Sequence, residues 1–138
     1  MTLKTLQIKR SRLPDAGKGL FTTKDITKGT MIIEYKGEIT TWKAIKESNN
    51  FNGYVYYVNR NHVIDAKPCK HYIARYANDA KGINQIKGMH NNCCYTICKN
   101  RVFIKALRTI KAGEELLVGY GKEYWDVIRY NKKLEKNK

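Results

Sequence analysis

Short apolar runs separated by turn residues make up most of the chain, a pattern typical of β structure. Residues 3–13 alternate loosely between apolar and basic positions and lead into a turn marked by Pro14 and two glycines, so they predict a strand that enters a tight loop. The runs 20–23 and 31–35 are β-branched and aromatic, and a Lys-Gly pair separates them. They predict two short strands paired with each other as a hairpin.

The middle of the chain predicts one short helix and a pair of strands. Thr40 and Thr41 precede a helix-compatible stretch that continues to Ser48, where an Asn-rich sequence ends it. Residues 54–58 and 62–66 are rich in Tyr, Val and Ile, and a turn-prone Asn-Arg-Asn triplet separates them. We therefore expect these two runs to pair across that turn.

The last third predicts a loop, a hairpin and a terminal helix. Residues 80–92 are polar and punctuated by glycine, which favours a water-facing loop whose sequence is free to vary. Residues 93–98 and 101–106 predict the two strands of a hairpin, and residues 122–136 carry apolar side chains at helical spacing. Many short strands with few helices indicate a β-rich α+β fold, in one domain spanning residues 1–138.

Length and hydropathy limit the class of protein. A chain of 138 residues can bury a modest core as a single domain. No stretch reaches the roughly 18–20 apolar residues that a membrane span needs, and the first residues lack the apolar region of a secretion signal. We therefore expect a soluble, intracellular protein.

The net charge leaves two interpretations open. The chain has 27 Lys and Arg against 12 Asp and Glu, a net charge of +15. A field of that sign attracts polyanions, so it fits contact with DNA or with a nucleosome. A Lys-rich composition that merely keeps a small protein in solution explains the same numbers, because the charges are scattered except near the C-terminus.

The cysteines do not form the pattern of a structural metal site. They stand at positions 69, 93, 94 and 98, and this spacing lacks the repeated Cys-x2-Cys pairs of a zinc module. We therefore expect reduced thiols without a metal.

Several ordered blocks of the sequence resemble the SET-domain lysine methyltransferases. A Gly-Glu-Glu-Leu block ends at Tyr120, and Arg75-Tyr76-Ala77-Asn78-Asp79 stands far upstream of it. One such block alone would be a weak signal, whereas the whole set at family-like spacing is a strong one. The matching blocks are residues 17–21, 29–38, 54–57, 63–66, 75–79, 92–93 and 113–121.

The resemblance implies a particular fold: small curled sheets with a pseudoknot-like crossing. In that arrangement the segment 75–79 is threaded under the loop that ends at Tyr120, and the core covers about residues 6–121. Residues 122–138 would add an aromatic, helical segment that closes the active site, as in compact virus-type members without zinc-binding flanks. Dimerisation would be one route to a complete substrate groove in such a minimal enzyme.

The resemblance also implies a lysine-binding channel. Methyl transfer needs a neutral amine aligned with a methyl donor in a passage that excludes water, and tyrosine walls suit the stem and head of a lysine. Tyr120 occupies the position of the principal catalytic tyrosine, and Tyr54 that of a second tyrosine in the lysine site. The channel set is completed by Tyr56, Val118 and Tyr124. The three histidines match no family position, so no general base is expected.

S-adenosyl-L-methionine is the cofactor that the resemblance implies. Glycine in the 17–19 loop lets the backbone approach a ligand closely, and Asn78 offers both a donor and an acceptor. The predicted cofactor-binding residues are Lys18, Gly19, Tyr35, Arg75, Tyr76, Asn78, Asp79 and Trp125. Asp79 departs from the family pattern, which usually has histidine there, so activity depends on what this aspartate does.

The expected function is therefore protein-lysine methylation, with a histone tail as the target. Glu34, Glu38, Glu114 and Glu115 are the acidic residues that could attract a basic tail. Two alternatives stay open: a non-histone protein as substrate, or an inactive SET fold that binds nucleic acid or chromatin. A histone target would place the protein in the nucleus or on chromatin.

Overall fold

The computed structural model describes residues 5–49, 52–81 and 85–120. Within these ranges the chain forms eight strands, one α-helix and a 3₁₀ helix at Ile73–Tyr76. In chain order the elements are β1 (Leu6–Arg10), β2 (Lys18–Thr22), β3 (Met31–Tyr35), β4 (Glu38–Thr40), α1 (Trp42–Ser48), β5 (Val55–Asn59), β6 (His62–Asp65), β7 (Cys93–Cys98) and β8 (Arg101–Ala106). The β-rich α+β class predicted from the sequence is confirmed.

The strands form three small antiparallel sheets. The first joins β1 to β2, the second has the order β3-β8-β7, and the third has the order β4-β6-β5. The predicted pairing of the two middle strands and of the two strands at 93–106 is confirmed, the latter with Cys93 opposite Ala106 and Cys98 opposite Arg101. Lys99 and Asn100 turn that hairpin with positive φ angles of 51° and 65°.

None of the helices in the described ranges is long and apolar enough to cross a membrane.

The hairpin predicted for the runs 20–23 and 31–35 is wrong. β2 pairs with β1, and β3 pairs with β8, which lies far along the chain. β2 is buried along its length after Lys18, because β1 covers one edge and the chain around Glu115 bridges to Phe21 on the other. Local composition predicts strands correctly but does not select their partners, since pairing depends on which faces can be buried together.

The single α-helix begins and ends where the sequence predicts. The Thr41 hydroxyl accepts a hydrogen bond from the Ala44 backbone N–H at 3.1 Å, which satisfies one of the unpaired donors at the start of α1. Asn49 ends the helix in the left-handed conformation, with φ 54° and ψ 35°. Ile45 is the buried residue of the helix, so α1 packs through a narrow apolar face.

The pseudoknot-like crossing implied by the resemblance is confirmed. We call residues 77–79 the crossing segment and residues 115–120 the closing segment. The two run parallel where Asn78 lies opposite Leu117, and the Val118 N–H donates to the Asn78 carbonyl at 2.8 Å. On its other side the closing segment pairs with the start of β7, where the Cys93 N–H donates to the Leu117 carbonyl at 3.0 Å. The closing segment is therefore held between two segments that are distant in sequence.

The hydrophobic core draws residues from all three sheets and from the closing segment. Leu20, Ile104, Leu116 and Val118 are each fully buried within it.

The loop over residues 80–92 is less free to vary in sequence than predicted, because its last residue is bonded to the closing segment. Asn92 is 3 % exposed, donates from its side chain to the Glu115 carbonyl and accepts from the Leu117 N–H, both at 2.9 Å.

Candidate functional site

The crossing segment is tied directly to the glycine loop that precedes β2. Asn78 donates from Nδ2 to the Lys18 carbonyl at 3.0 Å, so the two predicted cofactor-binding regions meet. The other end of the amide, Oδ1, has no hydrogen-bond partner among the residues the structure describes. The structure thus brings Lys18, Gly19 and Asn78 together, and it leaves an acceptor on Asn78 for a ligand.

The buried carboxylate of Glu115 packs against this loop. Glu115 is 2 % exposed, and it accepts hydrogen bonds from the Ser11 hydroxyl at 2.7 Å and from the Arg12 N–H at 3.0 Å. Its Oε2 also lies 3.5 Å from Asn78 Nδ2. A Cβ atom placed on Gly19 would stand 2.3 Å from that same Oε2, so glycine is required by the close approach of the carboxylate. Glu115 therefore fixes the loop and Asn78 relative to each other.

Four tyrosines from four parts of the chain form a cluster beside the crossing segment. Tyr56 and Tyr95 have ring centroids 4.9 Å apart at an interplanar angle of 64°, and Tyr95 and Tyr120 lie 6.2 Å apart at 26°. Tyr35 contacts both Tyr56, at 6.1 Å, and Tyr95, at 5.8 Å. We call Tyr35, Tyr56, Tyr95 and Tyr120 the tyrosine cluster. Tyr35 is 5 % exposed, whereas the other three are half-buried.

Tyr120 is held to the crossing segment at both of its ends. Its hydroxyl donates to the Ala77 carbonyl, and its backbone N–H donates to Asp79 Oδ2 at 2.9 Å. The predicted catalytic tyrosine therefore has a fixed position relative to Asn78, which lies between those two acceptors. This brings Tyr120 and the glycine loop to the same crossing.

Tyr95 is the member of the cluster that the sequence did not identify. It stands on β7, two residues after the matched Asn-Cys block, in a strand whose residues 94–96 are all half-buried. Ten tyrosines occur in the chain, so residue type alone did not distinguish this one. Its position just after the Asn-Cys block could have indicated it. A strand that begins at the crossing places its first side chains beside the site.

Tyr54 lies at the border of the cluster rather than inside it. Its ring packs under the Arg75 guanidinium, whose central carbon is 4.0 Å from the ring centroid, and its carbonyl accepts from the Tyr35 hydroxyl at 2.7 Å. Arg75 also lies 5.2 Å from the Tyr76 ring and donates to the Ala66 and Lys67 carbonyls at 2.8 and 2.6 Å. Arg75 thus connects the 3₁₀ helix to the end of β6, with its buried Nε lacking a partner in the described residues.

The remaining predicted site residues are placed as follows. Val118 is fully buried in the main hydrophobic core, two residues before Tyr120. Asp79 is 6 % exposed, with its carboxylate directed to the Tyr120 N–H and to the side chain of Asn91. Tyr124 and Trp125, together with the terminal helix predicted over 122–136, lie outside the described residues.

The environment of the cluster disfavours ionisation of Tyr56. Burial raises the pKa of the Tyr56 phenol above its ordinary value, and the nearby Cys94 thiol raises it further. The hydroxyl therefore stays a hydrogen-bond donor at neutral pH and above. A neutral phenol can orient an amine without forming an ion pair with it.

Most of the predicted acidic contacts are used within the protein. Glu34 forms a two-pronged ion pair with Arg101, at 2.6 and 3.2 Å, and Glu114 contacts Arg108 at 3.3 Å. Glu115 is buried under the glycine loop. Of the four acidic residues predicted to attract a basic tail, Glu38 on β4 is the one that is exposed and has no partner among the described residues.

The cysteines are thiols, and within the described ranges no group of three or more His, Cys, Asp or Glu side chains is placed to hold a metal ion. That the domain works without a metal stays a prediction. Cys69 and Cys93 are buried, Cys94 is half-buried and Cys98 is exposed. Burial, followed by the neighbouring Cys94 thiol, raises the pKa of Cys93 to about 12.

We expect alkylation of the native protein to separate these thiols. At about pH 8 iodoacetamide should modify Cys98 first and leave Cys93 unmodified until the protein unfolds, because only the thiolate reacts. Fragmentation mass spectrometry of the peptide that carries both residues would locate the label. Equal rates of labelling at Cys93 and Cys98 in the folded protein would contradict the burial described here, and Cys98→Ser serves as the control.

Comparison with known proteins matches this arrangement. The family model described as "SET domain" matches residues 17–121, which include the glycine loop, the crossing segment and the closing segment. The chain is 31 % identical over 126 residues to "N-lysine methyltransferase KMT5A" of Xenopus tropicalis, covering 83 % of this chain and 36 % of the relative. It is 34 % identical over 119 residues to "Histone-lysine N-methyltransferase trithorax" of Drosophila melanogaster, covering 75 % of this chain and 3 % of the relative.

A solved structure gives the same result for the fold. The methyltransferase domain of human PR domain-containing protein 2 superimposes with a TM-score of 0.60 at 27 % identity, over 85 % of this chain and 77 % of that one. The chain thus spans most of that methyltransferase domain but only 36 % and 3 % of the two curated relatives named above. Since the matched residues 17–121 contain the crossing, the glycine loop and the tyrosine cluster, the chain belongs to the SET-domain family.

Proposed function

We propose that the protein is an S-adenosylmethionine-dependent protein-lysine methyltransferase that acts on a histone tail. The single observation that carries the proposal is the position of Tyr120. It belongs to a half-buried cluster of four tyrosines and is bonded at both ends to the segment that holds Asn78 against the glycine loop. At this crossing a lysine site and a cofactor site would lie on either side of the crossing segment.

The residues at the glycine loop fit the methionine part of the cofactor. The Asn78 Oδ1 can accept from an ammonium group, and the neighbouring Lys18 is exposed, whereas Gly19 is packed against the Glu115 carboxylate. Lys18, Gly19 and Asn78 would hold the cofactor there, with Arg75, Tyr76, Tyr35, Asp79 and Trp125 as further proposed contacts. When bound, S-adenosylmethionine supplies a methyl group on a sulfonium, which a neutral amine can attack.

The tyrosine cluster suits the other reactant. The faces of Tyr56, Tyr95 and Tyr120 offer apolar and π surface to the stem and the cationic head of a lysine, while their hydroxyls can orient the amine. A free lysine has a pKa of about 10.4, and it must lose a proton before it attacks. Burial among these rings would lower that pKa, because an apolar surrounding disfavours the charged form.

A histone as the substrate is supported by the names of the relatives and opposed in part by charge. The net charge of +15 repels a basic tail at long range, so recognition must depend on local groups. Glu38, exposed on β4, is the acidic residue best placed for that contact among those predicted. A histone substrate would place the enzyme on chromatin, where its positive charge is attracted to DNA.

The test is methyl transfer from radiolabelled S-adenosylmethionine to histones, nucleosomes and a whole-cell lysate. Incorporation into a histone band, at a lysine located by mass spectrometry, is the expected result. Incorporation only into another protein would replace the substrate and keep the activity. No incorporation in any sample, together with salt-sensitive DNA binding, would favour the alternative of an inactive SET fold that binds nucleic acid.

Cofactor binding is tested separately by calorimetric titration of Asn78→Ala. The variant loses the bond to the Lys18 carbonyl and the acceptor for the ligand, so we expect the Kd for S-adenosylmethionine to rise about tenfold or more, as for the loss of a hydrogen bond to a charged group. Asn61→Ala is the matched control, because Asn61 is exposed in the turn between β5 and β6. An unchanged Kd for Asn78→Ala would exclude the proposed cofactor site.

A further inference from the structure

The carboxylate of Asp79 accepts hydrogen bonds from three donors on residues that the structure describes. Oδ2 accepts from the Tyr120 backbone N–H at 2.9 Å, and Oδ1 accepts from Asn91 Nδ2 at 2.9 Å and from the Lys81 N–H at 2.8 Å. The side chain is 6 % exposed, so these bonds form away from bulk water. Asn91 is fixed in turn, because its Oδ1 accepts from the Ala80 N–H at 2.8 Å.

Only a carboxylate accepts all three donors in this arrangement. A neutral amide at position 79 has one acceptor oxygen, so its NH₂ group would face either the Tyr120 N–H or the pair formed by Asn91 and the Lys81 N–H. A neutral imidazole also offers a single acceptor nitrogen. The bond to Asn91 therefore depends on the aspartate of this chain. The histidine usual in the family could not accept the same set of hydrogen bonds.

The network fixes Tyr120 at a second point. Its hydroxyl is bonded to the Ala77 carbonyl, and its N–H is bonded to the Asp79 carboxylate, so acceptors two residues apart on one segment hold both ends of the residue. Losing either bond would leave Tyr120 held to the crossing segment by the other bond alone. A displacement of about 1 Å at a reacting group can cost about 10²-fold in rate.

We propose that Asp79, paired with Asn91, is a positioning residue that sets the register of Tyr120 against the crossing segment. The inference rests on the proposed function, because the positioned tyrosine is the one assigned to methyl transfer. Asp79 thereby replaces the usual histidine with a different set of contacts, and its carboxylate acts through the Tyr120 backbone.

The test exchanges the two side chains. In Asp79→Asn the single oxygen satisfies more donors when it faces Asn91 and the Lys81 N–H, which turns the NH₂ group toward the Tyr120 N–H. Asn91→Asp places a second carboxylate beside Asp79. Each single change should therefore lower kcat by about 10²-fold. In the double variant the amide introduced at position 79 can donate to the carboxylate introduced at position 91 and accept from the Tyr120 N–H. Of the three donors described here, the Lys81 N–H, on an exposed residue, is the one that then lacks its acceptor. We expect the double variant to recover kcat to within about tenfold of the parent.

A positioning role predicts a particular pattern of kinetic constants. Because the displaced group acts in the transition state, kcat should fall while the KM for the peptide changes less than about threefold. A double variant no more active than the single variants, or an Asp79→Asn variant with the parent's kcat, would overturn the inference. Circular dichroism melting of each variant fixes an assay temperature at which all of them are folded.

A readout independent of activity is hydrogen exchange at the Tyr120 amide, followed by NMR. Exchange should be fast in Asp79→Asn and slow again in the double variant, while the Leu117 amide, bonded to the Asn92 side chain, serves as the internal control. Unchanged protection of the Tyr120 amide in Asp79→Asn would overturn the inference even if a single variant is too unstable to assay. An inactive parent protein would instead overturn the proposed function, whatever the exchange result.

Discussion

Replacing Tyr120 by Phe is expected to lower kcat for methyl transfer by about 10²–10³-fold, the range found when one positioned donor is removed from an active site. The hydroxyl that is lost bonds to the Ala77 carbonyl, which belongs to a residue only 1 % exposed. The carbonyl would then lack its partner, and the ring would lose the bond that fixes its orientation against Tyr95. The measurement is steady-state methyl transfer at saturating cofactor, with binding of the cofactor checked by calorimetry.

The matched control removes the same oxygen outside the tyrosine cluster. Tyr57 is 51 % exposed and packs edge-on against Trp42 at 5.4 Å, on the opposite face of β5 from Tyr56. Tyr57→Phe should therefore keep kcat within about twofold of the parent, as surface changes distant from the site usually do. If Tyr120→Phe transferred methyl groups as fast as Tyr57→Phe, the catalytic assignment of Tyr120 would be wrong.

The second large effect is expected from Gly19→Ala. The added methyl would lie 2.3 Å from Glu115 Oε2, well inside van der Waals contact. Glu115 cannot move aside freely, because it is 2 % exposed and is bonded to the Ser11 hydroxyl and the Arg12 N–H. We expect a loss of about 1–3 kcal/mol in the free energy of unfolding, as for other insertions into packed sites, measured by urea titration.

The same change should also weaken cofactor binding. Displacement of Glu115 moves the loop relative to Asn78, so the Kd for S-adenosylmethionine should rise about tenfold or more. Gly119→Ala is the control, since a Cβ atom there meets its nearest neighbour, Asn91 Nδ2, at an ordinary 3.5 Å. A Gly19→Ala protein as stable and as tightly binding as Gly119→Ala would show that the close contact with Glu115 does not exist in solution.

Local signals in the sequence predicted much of the fold. The β7–β8 hairpin and the β5–β6 pair follow from β-branched and aromatic runs separated by turn residues, and α1 follows from its Thr41 cap. Each of these depends on residues close together in the chain, where short-range geometry restricts the outcome. β2 and β3 were also predicted as strands, but their partners were not, because β1 and β8 pair with them through burial rather than through local sequence.

Some residues of the candidate site are marked by motifs in the sequence, and others are placed there only by the fold. Family motifs predict Tyr120, Asn78 and the glycine loop as site residues, and the structure brings them to one crossing. Tyr95 has no motif of its own, and its place between Tyr56 and Tyr120 exists only because β7 runs beside the closing segment. The predictions for Tyr124 and Trp125 lie outside the described residues and stay predictions.

Composition and short blocks of neighbouring residues were enough to predict the class of fold, most of the strands and the family, because these features depend on residues that are close together in the chain. The contacts of Asp79 and Glu115 depend on the folded chain instead. The Asp79 carboxylate meets a backbone donor 41 residues away, and that of Glu115 meets a hydroxyl 104 residues away. Such contacts form only when the closing segment is inserted between segments distant in sequence, so no local pattern of residues encodes them.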